Sequence, residues 1–254
     1  MIVLGIESVT DVVGAAIGDG EGSGAALCVS GRRRHAETLA PAISRVLEIA
    51  GIGLDRLDAV AVDLGPGLFT GLRVGVATAK GLAQGLGIGV FGATSLEILA
   101  WAAFAAGWPG TVASVVDGRR SEVFAAHYAR GERPGELVAL TAPRRCRPER
   151  VLADLALVTD ETGPADVAGP AEQPVLACGD GALRYRDLLE TERVSVAGQA
   201  LAALDPVALV SLSVARLDAG AALSDATDVL PVYLRDADVR INWVQRAPQP
   251  AGDR

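Results

Sequence analysis

Apolar residues in the first hundred positions come first in short runs and then at helical spacing, and the two periods define the elements. Met1 to Ile6, Val12 to Ile17 and Ala25 to Val29 are apolar runs, with Gly18-Asp19-Gly20-Glu21-Gly22 turning the chain between the last two. Runs of this length bounded by turn residues predict a three-stranded meander. From His35 to Ala50 the apolar positions Leu39, Ile43, Val46, Leu47 and Ala50 recur every three or four residues until Gly51 and Gly53 interrupt them, which predicts an amphipathic helix. Leu57 to Leu64 then reads as a buried strand, Gly65 to Gly71 as a glycine-rich loop, Leu72 to Leu86 as a helix, Ile88 to Phe91 as a strand and Ser95 to Ala106 as a helix.

Trp108-Pro109-Gly110 punctuates the chain, and strands follow over Thr111 to Val116 and Glu122 to Tyr128, joined through Asp117-Gly118-Arg119-Arg120. Leu137 to Leu140 is a third strand and Pro148 to Leu157 a helix. Asp160 to Pro174 is a surface loop, Val175 to Cys178 a strand, Gly179-Asp180-Gly181 a turn, and Ala182 to Leu189 and Val207 to Ala219 are helices. The βββ start recurs once, at an offset of about 110 residues. An α/β protein of two related βββαβα halves is expected, residues 1–109 and 110–234, with the terminal helix free to return to the first half and a cleft between them. Residues 235–254 form a tail, disordered after Pro248.

The 254 residues are 50% hydrophobic and 21% charged, which excludes disordered, fibrous and disulfide-scaffold classes. The net charge of -8 argues against a chain that grips nucleic acid through its own field. Lys80 is the only lysine, and the arginine runs Arg32-Arg33-Arg34, Arg119-Arg120 and Arg144-Arg145-Arg147 read as solvated loop or helix-end charge. Cys28, Cys146 and Cys178 are scattered, so reduced thiols are expected rather than a disulfide framework or a thiolate zinc site. The N-terminal apolar run is too short for a signal peptide, and Ile98 to Gly107 is about half a membrane span. A cytoplasmic protein without membrane contact is expected.

Four features could carry chemistry. Asp63 to Gly71 follows a strand and opens a helix, so its amides could cradle an anion with Thr70 as N-cap; a tight turn explains the same residues. Gly71, Gly75, Ala79 and Ala83 form a stripe of small side chains, suited to internal packing or to a subunit interface. Glu7-Ser8 ends the first strand, a strand-turn tip where actin-like proteins place metal and phosphate, and Gly179-Asp180-Gly181 is expected at the matching place in the second half; ordinary turns look the same. His35 and His127 lack a partner at i+3 or i+4, so no histidine-pair metal site can be drawn.

Taken together, Arg33 to Ile43, Asp58 to Val62, Gly65-Pro66-Gly67-Leu68-Phe69-Thr70-Gly71-Leu72-Arg73-Val74-Gly75, Ala77 to Ala83, Thr94 to Glu97 and Asp117 to Val123 resemble the TsaB (YeaZ) family of the tRNA threonylcarbamoyladenosine system. The match runs from about residue 2 to residue 128, with echoes at Gly179-Asp180-Gly181-Ala182 and Pro231 to Arg235. The resemblance implies an actin-like or Hsp70-like ATPase fold of the ribonuclease H-like class. It also implies a non-catalytic scaffold that pairs with TsaD, the transferase acting on adenosine 37 of ANN-decoding tRNAs, and with the ATPase TsaE. No cofactor is expected in this chain itself; ATP would belong to the complex and the metal to TsaD. The metal-binding H-x-x-x-H of TsaD falls here on Ser95 and Leu99. A homodimer is implied when the chain is alone, and tRNA contact only through the complex. The partner surface would lie on the first two helices, through His35, Leu39, Ile43, Leu72, Gly75, Val76, Ala79 and Ala83. A nucleotide cleft would use Glu7, Ser8, Gly179, Asp180 and Gly181, although Glu7-Ser8 departs from the Asp-Thr that begins most TsaB chains. The competing expectation is a stand-alone actin-like ATPase or small-molecule kinase, with Glu7, Asp11, Asp117 and Asp180 around magnesium; a metallopeptidase lacks its ligands.

Overall fold

The protein is described by a computed structural model over residues 1–19, 24–31, 35–158 and 173–234. The Arg32–Arg34 run, most of the 160–174 loop, the centre of the 18–22 turn and the 235–254 tail lie outside the described residues.

The first sheet is built from β1 (Val3–Glu7), β2 (Val12–Gly18) and β3 (Gly24–Ser30), then α1 (His35–Ala50), β4 (Ala59–Asp63), α2 (Phe69–Leu86), β5 (Gly89–Ala93) and α3 (Ser95–Ala105). Its order is β3-β2-β1-β4-β5. β1 runs antiparallel to β2 and parallel to β4. The central strands are covered on both faces, so Val3, Leu4, Ile6 and Ala59 to Val62 are all buried and read as continuous apolar runs instead of alternating.

The second half contributes β6 (Thr111–Arg119), β7 (Glu122–Arg130), β8 (Leu137–Ala139), β9 (Arg144–Cys146), α4 (Pro148–Val158), β10 (Val175–Cys178), α5 (Asp180–Arg184), α6 (Arg186–Leu189), β11 (Val194–Val196) and α7 (Pro206–Asp218). Its order, β11-β10-β6-β7-β8 with β9 also on β7, repeats the topology of the first sheet. The helix that ends each half packs on the other half. α3 lies on β6, β7, β8 and β10, while α7 lies on β1, β2 and β4 and touches α3. Enclosure between the second sheet and α7 accounts for an α3 that is apolar nearly all round. One buried cluster therefore runs from Leu4 and Ile6 through Leu96 and Leu99 to Val112, Val116 and Phe124, fusing the halves through a shared core.

Three short elements depart from the sequence pattern. β9 is an arginine-rich strand, not solvated loop charge: Arg144 ion-pairs with Asp154, and Arg145 Nε lies 3.7 Å from Glu122 Oε1. β11, Val-Ser-Val, is too short to show a period. The helix expected over Ala182 to Leu189 splits in two at Tyr185, whose φ of -109° and ψ of 30° leave the helical region.

After α7 the chain returns as a strap across the first half. Ser224 exchanges backbone hydrogen bonds with Val90 at 2.9 and 3.0 Å, and Val232 N donates to Leu64 O at 2.7 Å. Lys80 Nζ donates to the carbonyls of Thr227 and Val229 at 3.2 and 3.0 Å. The lone lysine thus fastens the strap to α2.

Candidate functional site

The tip of β1 meets the entrance of α2. Glu7 and Ser8 are 0% and 1% exposed, so neither faces a ligand, contrary to the nucleotide role expected of them. Glu7 Oε1 accepts from Val9 N at 2.7 Å, and Ser8 Oγ donates to Gly71 O at 2.8 Å. Beside them lies Asp63, 1% exposed at the end of β4, which accepts from Gly65 N at 2.7 Å and from Ser95 Oγ at 2.8 and 2.9 Å. Burial is the main cause that lifts Asp63 to about 6. Burial first, and then the charge of Asp63, pushes Glu7 well above the carboxylate range. Among the described residues Glu7 Oε2 has no other hydrogen-bond partner than the Asp63 carboxyl beside it. Two carboxylates this deep cannot both ionise cheaply, so the pair holds a proton. In the sequence Asp63 stands out only as the first residue of the glycine-rich stretch Asp63 to Gly71.

The glycine loop behaves as a tight turn. Its Gly65 amide goes to Asp63, and its Leu68 amide donates to Val9 O at 2.7 Å. The helix starts at Phe69 with Leu68 as N-cap and no side-chain cap. Thr70 is therefore an exposed first-turn residue rather than the cap, because the backbone bond to the β1–β2 turn already fixes the entry.

In the second half, Gly179 has φ 107° and packs against Val115 O, so it serves the sharp β10–α5 turn. Gly181 is buried against the backbone of Val116. Asp180 Oδ1 accepts from Asp117 N at 2.8 Å, and burial raises its pKa. Of the four carboxylates considered for magnesium, Asp11, Asp117 and Asp180 come together around Arg119, while Glu7 stays below in the core. Arg119 Nη2 reaches Asp11 Oδ2 at 2.9 Å, and its Nη1 reaches Asp117 Oδ2 at 3.0 Å. Arg184 adds a 2.8 Å contact to the same Asp117 oxygen.

The eight residues expected to meet a partner are all buried inside the chain: His35, Leu39, Ile43, Leu72, Gly75, Val76, Ala79 and Ala83. The apolar period marks the face that packs on the chain's own sheet. A Cβ on Gly75 would run into Ser8 Oγ, and His35 Nε2 lies 2.8 Å from Thr10 O. The surfaces that α1 and α2 leave open are the opposite ones, with Ala36, Ala40, Ser44, Thr70, Arg73, Ala77 and Gly81 exposed. His127 sits in β7 beside Thr141, and burial, aided by Arg144, lowers it to about 4.

A family model described as TsaD: tRNA N6-adenosine threonylcarbamoyltransferase matches residues 29–243. TsaB of Haemophilus influenzae, a tRNA threonylcarbamoyladenosine biosynthesis protein, is 37% identical over 99 residues, 39% of this chain and 42% of that protein. The structure of YeaZ from Pseudomonas aeruginosa superposes with a TM-score of 0.73 at 28% identity, covering 92% of this chain and 99% of that one. The chain belongs to the TsaB (YeaZ) branch of this family. An uncharacterized protein of Mycobacterium leprae is 33% identical over 207 residues, 82% of this chain and 52% of that one. The chain thus spans about half the length of these curated relatives.

Within this TsaB-family chain, the two positions expected to correspond to the TsaD histidines hold Ser95 and Leu99. Ser95 is buried and spends its hydroxyl on Asp63, and Leu99 is 1% exposed against Gly179. Among the described residues no group of three His, Cys, Asp or Glu is placed to hold a metal, and no helix is long and apolar enough to cross a membrane.

Proposed function

We propose that this chain is the non-catalytic TsaB-type subunit of threonylcarbamoyladenosine synthesis at position 37 of ANN-decoding tRNAs, holding a TsaD-type transferase in its competent form. The observation that carries the reading is the pair Ser95 and Leu99. In a chain whose family model is that of the transferase, the serine is hydrogen-bonded into the core and the leucine packs there, and neither offers an imidazole. The shared core between the halves suits a rigid support better than a clamp that opens around substrate. The net charge of -8 suits tRNA contact through the partner.

Pairing would use the exposed faces of α1 and α2, where Ala40, Ser44, Ala77 and Gly81 let a second pair of helices approach closely. The same face would serve a homodimer when the chain is alone, and TsaE would join the assembled pair. The test titrates the purified chain into a TsaD-type protein of the same organism. Wild type should bind and show no transfer or ATP turnover alone, and Ala77→Arg should abolish binding with unchanged circular dichroism. Turnover by the lone chain, or undiminished binding by the variant, overturns the reading.

A further inference from the structure

We propose that Arg119 is a positioning residue for the pairing face, clamping the β1–β2 turn from across the cleft. This rests on α1 and α2 being the pairing helices. Arg119, Arg120 and Ser121 all adopt left-handed backbone, with φ of 61°, 53° and 61°. Such conformations are costly for residues other than glycine and persist where the surroundings fix them. Here the strained β6–β7 hairpin aims one guanidinium at the other half. The base of the aim is rigid. Asp117, 4% exposed at its side chain, accepts from Arg119 N at 3.0 Å as well as from both guanidinium groups, and its own amide is held by Asp180.

The far end of the clamp is Asp11, and the turn it belongs to anchors both helices at their first residues. Thr10 O contacts His35 Nε2 at the start of α1. Val9 O accepts from Leu68 N, and Ser8 Oγ donates to Gly71 O, at the start of α2. Gly31 N closes the turn on Asp11 O at 3.2 Å. A displacement of Asp11 therefore shifts the entry of both helices, whereas the sheet beneath them is held by its own core.

A double-mutant cycle tests this with Asp11→Asn, Arg119→Gln and their combination, read by amide exchange in the lone chain and by titration into the TsaD-type protein. Each single variant should speed exchange of the Leu68 and Gly31 amides and weaken binding about two- to fivefold, the range of a partly exposed ion pair. The double variant should go no further, and α4 amides should be unaffected. Unchanged exchange, additive effects or accelerated exchange with unaltered affinity overturns the proposal. Failure of wild type to bind overturns the pairing reading instead, and the exchange cycle still decides whether Arg119 holds the turn.

Discussion

Glu7→Gln separates the buried carboxyl pair from every other titrating group. Asp63 rises from its ordinary 3.8 to about 6 on burial, and one pKa unit is worth about 1.4 kcal/mol, so its full linkage is about 3 kcal/mol. Because the folded value lies above the unfolded one, the folded state binds the extra proton. The stabilisation is complete below pH of about 4 and disappears as pH rises through about 6. Between pH 5 and pH 8 the wild type should lose roughly 1 to 2 kcal/mol through Asp63, and more through Glu7. In Glu7→Gln the amide can accept from Val9 N and donate to Asp63, a permanent copy of the protonated state. Urea unfolding followed by tryptophan fluorescence at pH 5, 6, 7 and 8 should therefore show a flatter profile for the variant, which keeps the loss of roughly 1 to 2 kcal/mol through Asp63 but not the further loss through Glu7, and a variant more stable than wild type at pH 8. Parallel profiles would refute the shared proton.

Two further outcomes concern the hairpin and the strap. Arg120→Asn with Ser121→Gly places the residues favoured with left-handed backbone at the β6–β7 turn; relief of two strained positions should add about 1 to 2 kcal/mol, an increase of roughly 3 to 6 °C in Tm, with the Arg119 contacts kept. Lys80→Met removes the ammonium donated to Thr227 O and Val229 O. At this half-buried site it should cost about 1 kcal/mol and raise protease cleavage within residues 223–234, leaving the sheets resistant; unaltered cleavage would deny the fastening role.

The repeated strand-and-helix order was legible because each central strand is apolar along its length and α1 carries a regular stripe. The crossing of α3 and α7 onto opposite halves was not. Periodicity tells how much of a helix is covered, and α3 is covered over most of its circumference, but it does not say by which sheet. β9 escaped for a related reason: its strand identity comes from pairing with β7 and from ion pairs such as Arg144 with Asp154, both remote in sequence and invisible to a local pattern.

The same limit explains the misplaced partner surface. Gly71, Gly75, Ala79 and Ala83 announce that something approaches α2 closely, and small residues say so equally for a sheet within the chain and for a helix of another molecule. Ser8 and His35 decide it, since their atoms stand against Gly71 and Gly75. α2 carries a second set, Ala77, Gly81 and Gly85, exposed, with none of the described residues packed against Gly81 and Gly85. A helix small on both sides can pack on its own sheet and still be approached from outside, so correcting the first stripe leaves close pairing by α2 physically available on its other face.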